Sequence, residues 1–292
     1  MKIARLKKFS ASLASILVLT CALSFSSVQA ADFAAQLAEQ FLNKTPVAQV
    51  DPNMTMEQAV KIQAEFVSLL TKEFGDPVGY KAGLTNPNVQ KAFGVSQPVR
   101  GTLLKKMLLE SGAAMPAKFG SIPMMEGDLI VRVKDEGINQ AKTPEETLKY
   151  LDVVIPFIEL PDLVCDKSVK FNGAVIVAIN VGARYGVMGK PIPLAAKPEW
   201  TERLKNFQLQ MIDEKGTILD QGKGTALLGD PLNAVLWIKN SVVAEGNKLR
   251  KGDLLSLGSL TRGLPPRPGM TLKAVYTDLD PDGPVEVTVS FK

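Results

Sequence analysis

An α+β fold is predicted for this chain of 292 residues by three features of its sequence. Helical spacing of apolar residues is concentrated ahead of residue 75. Strand-like segments dominate from about residue 100. Only two helical segments interrupt those strands, too few for alternating βαβ units and one pattern too many for a plain sandwich.

The first thirty residues stand apart. Lys2, Arg5, Lys7 and Lys8 precede an apolar run through "LASILVLTCALSF", and "SSVQA" ends it at Ala30. This is the pattern of a secretory signal with a V-x-A site, cleaved between Ala30 and Ala31, so export to the periplasm is expected. The run is short for a membrane span, and Thr20 is a poor neighbour for a lipidated Cys21.

Beyond the signal, "DFAAQLAEQFLN" and "TMEQAVKIQAEFVSLLTKEFG" repeat apolar residues at helical spacing. The second opens with a Thr55-x-x-Gln58 capping box and stops at Gly75. "VGYKAGLT" (78–85) reads as a strand, after which Asn86 and Pro87 open a short helix ending near Gly94. "DLIVRV", "VVIPFIEL" and "AVIVAIN" then read as strands, and "FQLQMIDEKGTILDQG" reads as a hairpin. "DLLSLGSL", "TLKAVYT" and "VEVTVSF" complete the strand set. The two helices among them are "TPEETLKYL", with Thr143 as N-cap, and "DPLNAVLWIKNSVVAEG", between Asp230 and Gly246. "RGLPPRPG" reads as a loop. "GKGTALLGD" lacks phosphate-loop spacing.

Composition excludes several functions. All four basic residues of the first thirty belong to the signal, which has no acids. The rest balances at 30 basic against 30 acidic, leaving no basic patch to hold nucleic acid or an anionic membrane. Cys165 is the one cysteine after the signal, so no intrachain disulfide can form. The chain has no histidine. That excludes Ser-His-Asp and Cys-His catalysis as usually built, and histidine-bound zinc. A metal would need oxygen ligands, which favours magnesium, manganese or calcium.

One stretch holds a chemical question. In "PMMEGDLIVRV", Glu126 and Asp128 are two residues apart on a strand, so both carboxylates share a face while Leu129, Val131 and Val133 line the other. Adjacent carboxylates repel unless a cation lies between them. Glu159 ends a second apolar strand, with Asp162 close behind and able to share its role. Spacing alone leaves three readings open: a solvated face, a salt-bridged pair, or a divalent-metal site built from both strands.

A family resemblance bears on that choice. "GYKAGLTNPNVQKAFGVSQP" resembles the G-x-K-x-G-L-T-S opening of the 2-keto-4-pentenoate hydratase family, in the fumarylacetoacetate hydrolase superfamily. The acid-x-acid strand, "IPFIEL", "LLGDPLNAVLWIKNSVVAEGNKLRKGDLLSLGSLT" and "RPGM" follow in the family's order, over roughly residues 55–291. The resemblance implies a β-rich mixed roll of the fumarylacetoacetase C-terminal type over 99–292, preceded by a small helical region over 31–98, in a homo-oligomer. It implies Mg²⁺ or Mn²⁺ held by Glu126, Asp128 and Glu159, with Lys81 as the active-site lysine. The implied substrate is a small 2-oxo or 2-hydroxydienoic acid that chelates the ion. Thr261 and Arg262, after the matched segment, are candidate substrate contacts.

The chain also departs from the pattern. Asp128 stands where Glu is usual, and Q-P-D becomes Gln97-Pro98-Val99. D-N-A-S becomes Ile179-Asn180-Val181-Gly182, which drops an acid and a serine hydroxyl. G-H-P becomes Gly229-Asp230-Pro231. Tyr185, Asp162 or a bound water are the candidates to replace the lost groups. Two functions follow as expectations: a metal-dependent hydratase-like lyase, with decarboxylation or C–C cleavage less close, or an exported carboxylate-binding protein without turnover. A purely structural oligomer would require the acid trio to be coincidence.

Overall fold

The computed structural model describes residues 30–292. The expected secretory signal, all but its last residue, lies outside them. Two helices lead: α1 over 30–43 and α2 over Met56–Phe74. The expected capping box closes α2, with Gln58 N donating to Thr55 Oγ1 at 3.2 Å and Thr55 N donating to Gln58 Oε1 at 2.8 Å. Gly75 ends it at φ 77°, a left-handed backbone that glycine adopts without steric cost. Among the described residues no helix is long and apolar enough to cross a membrane.

The chain then alternates short elements with strands. In order these are β1 (Pro77–Gly83), α3 (Pro87–Ala92), β2 (Val99–Leu104), β3 (Leu108–Glu110), β4 (Ala113–Met115), β5 (Glu126–Val133), α4 (Pro144–Leu148) and β6 (Leu151–Leu160). There follow α5 (Gly173–Ala178), β7 (Tyr185–Met188), β8 (Ile192–Pro193), α6 (Pro198–Asn206), β9 (Gln208–Ile212) and β10 (Ile218–Lys223). The last are α7 (Pro231–Ala244), β11 (Leu254–Ser256), β12 (Thr271–Asp280) and β13 (Gly283–Phe291).

Two sheets result. One runs β2-β1-β11-β5-β6-β7-β3, with β8 added to β6, and the other runs β10-β9-β12-β13-β4. The larger sheet takes strands from both sides of residue 98. The main core fills the space between the sheets, where Leu129, Val131 and Ile158 meet Leu209, Leu272 and Val287. A second core gathers α1, α2 and α5 around Phe41, Phe66 and Ile176. This is the α+β architecture expected, with curled sheets and a small helical region at the N-terminal end.

Two local expectations are corrected. Residues 174–178, read as strand, are the helix α5, whose N-cap Asn172 accepts from Val175 N at 3.0 Å. Its β-branched residues pack into the second core on all sides, and that burial outweighs their strand preference. With α5, a second unexpected helix brings the β-rich part to four among the described residues: α6, opened by Pro198 at its first turn.

Candidate functional site

The acid pair flanks a point where the two sheets are in contact. Glu126 on β5 is the register partner of Glu159 on β6, and Asp128 follows two residues later on the same face. Gly127 between them is required by packing: a Cβ there would lie 2.2 Å from Leu209 Cδ2 of the other sheet. Tyr276 of β12 also reaches this point. Its hydroxyl bonds Asp128 O at 2.6 Å and Phe157 O at 2.8 Å, and accepts from Phe157 N at 3.1 Å. The strand carrying the acids is thus held against the second sheet by two of that sheet's neighbouring strands, β9 and β12.

Lys81 comes from β1, which lies inside the sheet between β2 and β11. It is a 3 % exposed lysine, not a strand-edge lysine with its charge in water. Its Nζ pairs with Glu159 Oε1 and donates to Val181 O at 2.8 Å. Gly101, its register partner on β2, leaves room for the stem, since a Cβ there would come within 3.1 Å of Lys81 Cγ. Glu159 Oε1 is buried, and the Lys81 ammonium is its polar partner.

Lys81, Glu126 and Glu159 line one cavity of about 600 Å³. Asp128 is fully buried behind it, accepting from Ser256 Oγ at 2.6 Å and from Gly258 N at 3.0 Å. The three acids therefore converge without closing into a cage: among the described residues, no group of three or more His, Cys, Asp or Glu is set to hold a metal ion as it stands. The chemistry of the donors nevertheless fits a hard divalent cation. All three are carboxylates, and buried Glu159 Oε1 has no polar partner beyond the Lys81 ammonium.

Electrostatics agree with that fit. Burial, and then the charge of Glu159, push Glu126 up to about 7, against smaller pulls downward from Lys81 and the Ser259 hydroxyl. The same two causes raise Asp128 well above the usual carboxylate range, opposed by Ser256, Leu129 N and Lys81. One ammonium does not balance three carboxylates out of water.

This has a consequence for stability. The folded chain holds protons on Glu126 and Asp128 more tightly than the unfolded chain, so its stability falls as pH rises from the ordinary carboxylate range through about 7. Melting of the metal-free protein by circular dichroism is expected a few degrees lower at pH 7.5 than at pH 5. Added Mg²⁺ should restore most of the difference at the higher pH. A melting point that rises across this window would contradict the burial of these acids.

The other sequence candidates divide. Thr261 lines the cavity, and its Oγ1 accepts from Gly127 N at 2.9 Å, so it braces the acid strand. Arg262 also lines the cavity, yet its side chain is 73 % exposed with Nε 3.5 Å from Asp220 Oδ2. Tyr185 is not a cavity residue; it packs edge-on against Phe74 and Phe119. Asp162 is fully buried and structural. It accepts from Ser121 N, Ile122 N and Val164 N, and pairs with Arg184 at 3.2 Å. Sequence reasoning missed Ser256, at the end of β11, and Ser259, just beyond it, because a serine there looks the same whether it faces water or a carboxylate.

No family model matches the chain. It is 28 % identical over 236 residues to 2-oxo-hept-4-ene-1,7-dioate hydratase of Escherichia coli, covering 78 % of this chain and 85 % of that one. It is 30 % identical over 184 residues to 2-keto-4-pentenoate hydratase of Burkholderia vietnamiensis, covering 63 % and 68 %. Among solved structures, 4-oxalocrotonate decarboxylase from Pseudomonas putida G7, complexed with magnesium and adipate, superposes with a TM-score of 0.78. That alignment covers 90 % of this chain and 97 % of the other at 23 % identity, and it shows a shared fold.

Proposed function

The chain belongs to the 2-keto-4-pentenoate hydratase family, and on that premise we propose that it is a hydro-lyase adding water to a small 2-hydroxydienoic acid. Glu126, Asp128 and Glu159 would hold Mg²⁺ or Mn²⁺, with Lys81 as the catalytic residue beside them. The protein would work as a homo-oligomer after export, once the signal ending at Ala30 is removed. The observation that carries this reading is Lys81 Nζ, fixed between Glu159 and Val181 O at the wall of a cavity shared with Glu126.

The ion, when bound, supplies a Lewis acid for the substrate's carboxylate and C2 oxygen. The chain's own residues supply the rest. An ammonium has three N–H donors. Val181 O takes one and Glu159 orients the group, which leaves a donor for the C2 oxygen where charge develops as the dienol ketonises. Thr261 holds the start of the strand that presents Glu126. With no histidine in the chain, protons at C3 and C5 would come from Lys81, the acids or water.

Two measurements test this. Titration calorimetry should show Mg²⁺ and Mn²⁺ binding to the purified protein and loss of that binding in Glu159→Gln. The absorbance of 2-hydroxypenta-2,4-dienoate should then decay in the presence of Mn²⁺. Failure to bind either ion at millimolar concentration would defeat the proposal.

A second reading has one observation in its favour. Ile179 and Gly182 stand where the family pattern has an acid and a serine, so a carboxylate-binding protein without turnover would keep the cradle and lose proton-handling groups. Binding with unchanged absorbance selects that reading for this substrate.

A further inference from the structure

The cavity has a second chemistry that the acids and lysine do not use. Leu84, Val89, Phe93, Leu163, Ile176 and Val181 form an apolar wall. The acids and Lys81 come from the larger sheet, whereas this wall comes largely from α3, α5 and the turns beside them. Leu84, Phe93, Ile176 and Val181 are continuous with the second core. We propose that this wall selects a substrate with an uncharged apolar tail of several carbons, alkyl or aryl, over one with a second carboxylate. The inference rests on the proposed function of the same site and specifies its substrate class.

Size is the first support. A cavity of about 600 Å³ lies within the range that holds drug-sized molecules. The five-carbon dienoic acid, with eight non-hydrogen atoms, fills only part of it. Charge is the second. The ionisable groups lining the cavity are Lys81 and Arg262 against Glu126, Glu159 and Asp220. Lys81 is paired with Glu159 at the acid end, and Arg262, 73 % exposed, faces Asp220, which also accepts from Arg262 N at 2.9 Å. A second carboxylate would meet three acids against two cations that each already face one of them, and burying it without a cation of its own is costly.

The wall's backbone is the third support. Leu84 and Val181 adopt φ of 55° and 54°, the left-handed region that branched side chains avoid. Such strain persists where surrounding structure imposes it, commonly at ligand clamps. Gly83 fits against Val181 so closely that a Cβ would lie 2.4 Å from Val181 Cγ1. Val181 also stands where the family pattern carries alanine, which adds apolar surface to the wall.

The test is calorimetric binding of 2-oxo acids to the purified protein with saturating Mg²⁺, using oxalate as the control for the acid-and-lysine end. A buried methylene is worth up to about fourfold in affinity. 2-Oxooctanoate should therefore bind at least about tenfold tighter than 2-oxopentanoate, and 2-oxoadipate no tighter than 2-oxopentanoate. Val89→Arg, at a wall position 39 % exposed and tolerant of charge, should strengthen 2-oxoadipate about tenfold and weaken 2-oxooctanoate. Oxalate binding with affinities independent of tail, tightest binding by 2-oxoadipate, or indifference to Val89→Arg would each overturn the tail inference while leaving the site reading intact. Failure of oxalate itself to bind would overturn both.

Discussion

Lys81→Met is expected to lower turnover of 2-hydroxypenta-2,4-dienoate by two to four orders of magnitude, the range for removing a positioned proton donor. Methionine keeps the unbranched stem that fills the space beside Gly101, so the sheet should close as before. What disappears is the ammonium that bonds Val181 O and balances Glu159. Metal binding should follow the opposite course. Lys81 and a divalent cation compete for the same carboxylates, so above pH 7, with Glu126 ionised, the variant should bind Mg²⁺ at least as tightly as wild type. Below that pH its affinity should fall more steeply, because Lys81 no longer holds Glu126 and Asp128 down. Steady-state absorbance and calorimetry on the same preparation read the two effects separately. Full activity in the variant would remove Lys81 from the chemistry.

The different legibility of Lys81 and of the acids has a physical origin. Glu126 and Asp128 could be paired from sequence because strand side chains alternate with a period of two, a local rule. Glu159 could be suspected because an acid ending a strongly apolar strand is unusual. The burial of Lys81 is a different matter. It depends on β1 lying parallel to β11, some 170 residues later in the chain, and no local pattern encodes that pairing. The family resemblance supplied the lysine where periodicity could not. Residues 174–178 failed for the mirror-image reason. Val175, Ile176 and Val177 carry strand preference locally, but the Asn172 cap and burial on every side make them helical. The left-handed turn at Asn180 and Val181 was only half legible, since asparagine tolerates a positive φ but valine avoids one. Asn180 secures that turn by bonding both N and O of Thr102 on the edge strand β2, which presents Val181 O to Lys81.

Asp162→Ala is expected to destabilise the fold by about 3–5 kcal/mol, the cost of breaking a buried ion pair by deleting one partner. The number follows from what Asp162 leaves behind. Arg184 is 3 % exposed, and burial already pulls its guanidinium below the ordinary arginine value against the charge of Asp162. Three backbone amides, of Ser121, Ile122 and Val164, lose their acceptor as well. Arg184 keeps its bond to Phe41 O at 2.8 Å and its place over the Phe41 ring, which limits the loss without replacing the charge. At roughly 2–4 °C per kcal/mol for a chain of this size, the melting point should fall by about 10 °C. Asp162→Asn retains an acceptor oxygen and should fall between. The acid lies only three residues from Glu159, yet its bonds serve the segments entering β5, leaving β6 and entering β7. Urea midpoints should therefore drop in both variants while calorimetric Mg²⁺ stoichiometry per folded molecule stays at the wild-type value. A variant that kept full stability but lost the ion would instead place Asp162 among the ligands and displace Glu159 from that role.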